Sequence, residues 1–120
     1  MTGAKRTVLV VDDEASLRLL CRVNLELEGH RVLEAGAVGE ARELLATEPI
    51  DVVLLDVHVG SESGLDLLED IESLELPVRV VMLSGTSEIS ADVRARVAGV
   101  LGKPFLLEEL TAAVSDEALR

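Results

Sequence analysis

The chain of 120 residues contains no tryptophan and no tyrosine, and Phe105 is its only aromatic residue. Any core it builds must therefore be almost wholly aliphatic. Cys21 is the only cysteine, which excludes an intramolecular disulfide and any metal site built from thiolates. No apolar run approaches the roughly 18 residues that a membrane span needs. The segment Met1 to Thr7 carries Lys5 and Arg6, but the apolar run behind it stops at Asp12. A secretory signal needs about 7–15 apolar residues there, so a cytoplasmic location is the expectation. Basic residues are also scarce: 11 Lys and Arg stand against 23 Asp and Glu, a formal charge of −12. A field of that sign repels phosphate backbones and anionic lipid heads, so direct contact with nucleic acid or a membrane surface is not expected. The same charge suits a site that collects a divalent cation.

What the chain has in quantity is aliphatic side chains, in short runs. With 48% hydrophobic and 28% charged residues it can bury one core. No repeat, low-complexity tract or Pro/Gly/Ser linker divides it, so residues 1–120 are expected to form one domain, with no output domain. Val8 to Val11 is a continuous apolar run closed by Asp12 and Asp13, and Val52 to Leu55 is another, closed by Asp56. Val78 to Leu83 is a third, broken only by Arg79 and closed by Ser84 and Gly85. Runs of this kind suit strands buried on both faces of a parallel sheet. The weaker runs Arg31 to Ala35 and Val97 to Leu101 read as edge strands.

Helical patterns lie between these runs. Leu17, Leu20, Cys21 and Leu25 repeat at the helical period, with Asn24 as a polar interruption, Asp13 as the expected cap and Gly29 as the stop. Val38, Ala41, Leu44 and Leu45 form a second stripe, and Leu65, Leu68 and Ile71 a third. Ile89 and Val93 give a short fourth, and Leu107, Leu110 and Val114 the last. Five strands, each followed by a helix, predict a doubly wound three-layer α/β domain.

In such a sheet the strands' C-terminal ends share one edge, and ligands bind there. The first strand delivers Asp12 and Asp13 to that edge, the third Asp56, the fourth Ser84 and the fifth Lys103. Clustered carboxylates repel one another unless a cation sits among them, and oxygen donors select a hard ion such as Mg²⁺. An aspartate in that setting can attack phosphorus and form an acyl phosphate. Lys103 and Mg²⁺ would neutralise charge, and the Ser84 hydroxyl would donate to a phosphoryl oxygen.

Val8 through Glu14 (VLVVDDE), Asp56 with Gly64 eight positions later, Ser84–Gly85 and Lys103–Pro104–Phe105 together resemble the receiver domain of bacterial two-component response regulators. The resemblance covers essentially the whole chain and implies a flavodoxin-like five-stranded parallel sheet of order 2-1-3-4-5 with about five helices. It further implies Asp56 as the phosphoacceptor and Mg²⁺ held by Asp12, Asp13, Asp56 and the backbone carbonyl of His58. Lys103 would pair with Asp56 and later with its phosphate, across a cis Lys103–Pro104 bond. The implied partners are a sensor histidine kinase or histidine phosphotransfer protein and an unidentified downstream protein. The domain would assist its own phosphorylation and dephosphorylation without being an enzyme in the ordinary sense.

Several positions depart from the family pattern. Val100 stands three residues before the lysine, where an aromatic ring usually reports phosphorylation, and the stretch from Ser84 to Lys103 is short by roughly one helical turn. Gly60 replaces a common proline, from which a looser loop from His58 to Ser63 is expected. His58 lies two residues after the acceptor, where side chains influence phosphate lifetime, although a solvated loop histidine is the simpler reading. Cys21 is expected to be a small core residue, Phe105 to pack at the start of the last helix, and His30 to lie in a surface loop. Glu62, Asp66, Glu69, Asp70 and Glu72 read most simply as a solvated helix face. The chief competing reading is a protein-binding pseudo-receiver that never depends on phosphate. A flavin carrier lacks its phosphate loop and rings here, a dinucleotide site lacks G-x-G-x-x-G after the first strand, and an aspartate-based phosphohydrolase lacks the second acid where His58 stands.

Overall fold

The computed structural model describes residues 5–85 and 89–115. The first four residues of the Met1 to Thr7 segment and the last five of the chain lie outside them. Strand β1 (Thr7–Val11) is followed by α1 (Ala15–Leu27), β2 (Arg31–Ala35), α2 (Val38–Thr47) and β3 (Val52–Asp56). Two short strands, β4 (His58–Val59) and β5 (Glu62–Ser63), precede α3 (Gly64–Ser73). The chain continues through β6 (Arg79–Ser84), α4 (Ala91–Arg96), β7 (Gly99–Gly102) and α5 (Leu107–Ser115). Five strands form one parallel sheet in the order β2-β1-β3-β6-β7. Counted along the chain within that sheet, this is the expected 2-1-3-4-5, with the two weaker runs at its edges.

Alternation along the strands explains why their sequences are apolar throughout. Leu9, Val11, Val53, Leu55, Val80 and Met82 face one side, where Val38 and Ala41 of α2, Leu67, Leu68 and Ile71 of α3, and Val93 of α4 cover them. Val8, Val10, Val52, Leu54, Val81 and Leu83 face the other side, against Cys21 and Leu25 of α1 and Leu110 and Val114 of α5. The central strands thus bury both faces, as a sheet clad in helices on both sides requires. Phe105 packs against the α1–α5 side just ahead of α5, as expected. No helix among the described residues is long and apolar enough to cross a membrane.

Helix ends follow the sequence only in part. Gly29, at φ +95°, ends α1, and its N–H donates to the Glu26 carbonyl. The start of α1 corrects the expectation of an Asp13 cap. The helix begins one residue later, after Glu14, and it is the Asp12 carboxylate that accepts the Glu14 N–H at 2.9 Å. Ser63 and Ser90 cap α3 and α4 through their hydroxyls. The helix α4 spans only six residues, in keeping with the shortened stretch.

Two further expectations are revised. The loop from His58 to Ser63 is not loose: its residues pair as a hairpin, His58 with Ser63 and Val59 with Glu62, and Gly60 takes φ +65° in the turn. Proline is fixed near φ −65° and could not occupy that turn position, whereas glycine takes the positive φ freely. Glu62, Asp66, Glu69 and Glu72 are exposed, as a solvated face requires, and three of the acids also find partners. Asp70 pairs with Arg42, Glu72 takes a two-pronged contact from Arg96, and Glu62 accepts the Val38 N–H at the start of α2 at 3.1 Å.

His30 is the second revision, because it is buried and its Nδ1 accepts the Arg6 N–H at 3.0 Å. The stop at Gly29 turns the chain straight into β2 beside β1, so this histidine bridges two strands. Burial first, and then the nearby Arg6, hold its pKa below the ordinary value of 6.5. A depressed folded pKa means that the stability His30 contributes is present above its unfolded pKa and is lost as pH falls through the folded value. Thermal melts between pH 7.5 and 5 should therefore show a loss in the parent protein that is absent in His30→Asn, whose amide oxygen accepts without titrating. Parallel pH profiles in the two proteins would contradict this.

Candidate functional site

The first, third, fourth and fifth strands of the sheet end at one edge, and there the structure brings the predicted groups together. β1 runs directly into Asp12, which is 1% exposed, and Asp13, which is exposed. Asp56 is the last residue of β3, paired in register with Leu83, so that Ser84 follows one step further along the neighbouring strand. Carboxylate oxygens of Asp12, Asp13 and Asp56 all lie within 4.8 Å of one another. The Lys103 ammonium donates to Asp12 Oδ2 at 2.8 Å and stands 3.4 Å from Asp56 Oδ2. Ser84 is buried, and its carbonyl accepts the Lys103 N–H at 2.6 Å, which ties the ends of β6 and β7 together. The Lys103–Pro104 bond is cis. His58 is exposed in β4, two residues beyond Asp56.

Gly64 is what keeps this edge compact. A Cβ on it would lie 2.0 Å from the Asp56 carbonyl oxygen, and its N–H donates to the Val57 carbonyl at 2.7 Å. The need here is for space rather than for an unusual backbone angle: α3 starts against the backbone of the strand end that carries Asp56.

Three carboxylates and one ammonium leave the site short of positive charge. Burial holds the Asp56 carboxyl above the usual carboxylate range and the charge of Asp12 pushes the same way, while Lys103 opposes both. Burial also works against the Lys103 ammonium, but its hydrogen bond and charge contact with Asp12, with Asp56 behind, outweigh it and raise its pKa. Cys21 lies beneath the site, its thiol pushed up to about 11 by burial and then by Asp12, so it is an unreactive core residue. Donors that are all oxygen, grouped this closely and under-compensated, fit a hard divalent cation better than a soft one. Beside Lys103 opens a mostly apolar groove of about 330 Å³ lined by Glu14, Leu17, Leu20, Lys103, Pro104 and Phe105.

Sequence reasoning did not single out Arg18, which reaches back from α1 to donate to the Asp12 carbonyl at 2.7 Å. Its place on α1, one turn after Glu14, was visible; its target was not, because that target is a backbone atom.

Three carboxylates and a lysine thus meet at the strand ends of a parallel α/β domain. The response regulator receiver domain model matches residues 8–115, and the chain belongs to that family. It is 35% identical over 108 residues to the transcriptional regulatory protein KdpE of Mycobacterium tuberculosis, an alignment covering 88% of this chain and 47% of that protein. The chain thus spans about half the length of that relative. The sporulation initiation phosphotransferase F of Bacillus subtilis is 26% identical over 110 residues, covering 89% of each chain. Among solved structures, a Burkholderia pseudomallei response regulator with a phosphorylated aspartic acid, calcium ion and citrate superposes with a TM-score of 0.81 at 27% identity, covering 95% of this chain and 69% of that one.

Proposed function

We propose that this chain takes a phosphoryl group onto Asp56 from a phosphohistidine, on a sensor histidine kinase or a histidine phosphotransfer protein, and signals by binding another protein. The observation that carries this reading is the convergence of Asp12, Asp13 and Asp56 within 4.8 Å, with the Lys103 ammonium reaching both Asp12 and Asp56. An Asp56 carboxylate oxygen attacks phosphorus, the P–N bond breaks, and its electron pair leaves with the imidazole nitrogen. The product is an acyl phosphate. Asp12, Asp13, Asp56 and the His58 backbone carbonyl would hold Mg²⁺, which when bound offsets the negative charge of carboxylates and phosphoryl oxygens. Lys103 keeps Asp56 ionised before transfer and pairs with a phosphoryl oxygen afterwards. The Ser84 hydroxyl donates to another. No external substrate is turned over in this scheme.

The relatives support the reading by what they are named for: a phosphotransferase and a transcriptional regulator, with the regulator about twice as long as this chain. Val100 has no ring to rotate, and α4 is six residues long, so the family's usual signalling face is not carried over to this chain.

The test is intact-mass spectrometry of the chain incubated with acetyl phosphate or phosphoramidate, with Mg²⁺ or with EDTA, beside Asp56→Asn. One phosphoryl group should be gained with Mg²⁺, and none in EDTA or in the variant. Mg²⁺ binding without any gain would instead mark a phosphate-independent binding module. Equal labelling of Asp56→Asn would place the acceptor elsewhere.

A further inference from the structure

We infer that Arg18 is a positioning residue for the cation site, acting through the Asp12–Asp13 peptide; the inference rests on the Mg²⁺ reading above. Asp12 is held at each of its polar atoms. Its N–H donates to the Ala35 carbonyl at 3.1 Å, Oδ1 accepts from the Glu14 N–H, and Oδ2 accepts from Lys103. The fourth tie is its carbonyl, which accepts Arg18 Nη1 at 2.7 Å. That carbonyl belongs to the peptide plane leading into Asp13. Asp13 is exposed, so its carboxylate is aimed mainly by its own backbone, and the tilt of that plane decides where it points.

Arg18 is itself fixed. Its Nε donates to Glu34 Oε1 at 3.1 Å, across from β2, and only 19% of its side chain is exposed. The second oxygen of Glu34 accepts Arg22 Nη1 at 3.2 Å, one turn further along α1. Gly36 leaves the guanidinium its space, since a Cβ there would come within 3.0 Å of Nη1. A planar guanidinium with donors in a rigid fork can hold a carbonyl and a carboxylate at once, which an ammonium cannot do in the same geometry. Outer residues that orient metal ligands in this way typically change affinity by about 10–100-fold when removed.

The sign of the effect separates positioning from plain electrostatics. Removing a positive charge beside an acidic site strengthens cation binding through space, whereas releasing the Asp12–Asp13 peptide weakens it. Arg18→Met should therefore bind Mg²⁺ at least about tenfold more weakly by titration calorimetry of the unphosphorylated chain. Half-saturating Mg²⁺ for phosphoryl gain from acetyl phosphate should rise by a similar factor, with less change in the rate at saturating Mg²⁺. Arg22→Met removes the same charge and shares Glu34 but does not touch Asp12, so its Mg²⁺ affinity should be unchanged or slightly tighter. Arg18→Lys keeps the charge and should fall between parent and Arg18→Met; it also carries the test if the methionine variant does not fold. Unchanged or tighter Mg²⁺ binding in a folded Arg18 variant overturns the inference while leaving the metal reading standing. Failure of the parent chain to bind Mg²⁺ overturns both.

Discussion

Gly64→Ala is expected to destabilise the protein by about 3 kcal/mol or more, because the added methyl has nowhere to go. Its carbon would sit 2.0 Å from the Asp56 carbonyl oxygen and 3.1 Å from the carbonyl carbon. Both are backbone atoms in a central strand, so no side chain can rotate out of the way. The start of α3 must move off the end of β3, which strains the 2.7 Å hydrogen bond from the Gly64 N–H to the Val57 carbonyl. Overpacking of this kind typically costs about 1–3 kcal/mol, and an unmade buried hydrogen bond adds about 1–3 more. A loss of about 3 kcal/mol corresponds to a midpoint lower by roughly 15 °C for a domain of this size. Gly39→Ala is the control. Gly39 lies in α2 with nothing within 4 Å of the added carbon, so helix propensity alone acts and stability should hold or rise slightly. Thermal unfolding of the two variants side by side decides the matter; equal midpoints would mean that the contact with Asp56 is not a constraint. Because the displaced backbone carries Asp56, Gly64→Ala should also gain phosphoryl groups more slowly.

The architecture was legible because burial on both faces leaves a direct mark. Val8 to Val11 and Val52 to Leu55 are apolar without interruption, and in the fold each run divides its residues between two helical layers. The acids, hydroxyl and lysine at the site were legible for a related reason: parallel strands must all end at one edge, so residues that close apolar runs become neighbours. What was not legible depends on partners distant in sequence or on very short elements. Two-residue strands carry no periodicity, and the hairpin of β4 and β5 therefore looked like a loop. His30 follows a helix stop and reads as surface, yet its imidazole accepts a backbone N–H from a residue 24 positions earlier. Arg42 and Asp70 are 28 residues apart, and Arg96 and Glu72 are 24, so the acidic face of α3 looked unpartnered. The N-cap of α1 falls at Glu14 rather than Asp13, and Asp12 serves both the helix start and Lys103, a double duty that pattern alone does not show.

Lys103→Met should produce the largest conditional effect, a destabilisation that Mg²⁺ reduces. In the parent protein Lys103 supplies positive charge to a carboxylate only 1% exposed, at 2.8 Å, and reaches Asp56 at 3.4 Å. Removing one partner of a buried ion pair typically costs about 3–5 kcal/mol, because the remaining charge loses both water and counter-charge. The lysine side chain is 23% exposed, which argues for the lower end, about 3 kcal/mol in EDTA at neutral pH. The pH dependence has a definite sign. Lys103 is the influence that lowers the already raised Asp56 pKa, so its loss lifts that pKa further above the ordinary value of 3.8. A carboxyl whose folded pKa lies above its unfolded one stabilises the fold at low pH, and that stability is lost as pH rises through the folded pKa. The deficit of Lys103→Met relative to the parent should thus be greatest at neutral pH and shrink as the solution is made acidic. A divalent cation among Asp12, Asp13 and Asp56 substitutes for the missing ammonium, and at about a hundredfold excess over its dissociation constant it contributes about 2.7 kcal/mol. The parent gains by the same mass action, so the deficit should shrink in Mg²⁺ by as much as the variant binds the cation more tightly, and melts in EDTA and in saturating Mg²⁺ read that difference. An equal deficit in both conditions would mean that Lys103 acts by packing its stem rather than by its charge. No deficit in either would mean that water already screens the carboxylates, and the electrostatic account of the site would fail with it.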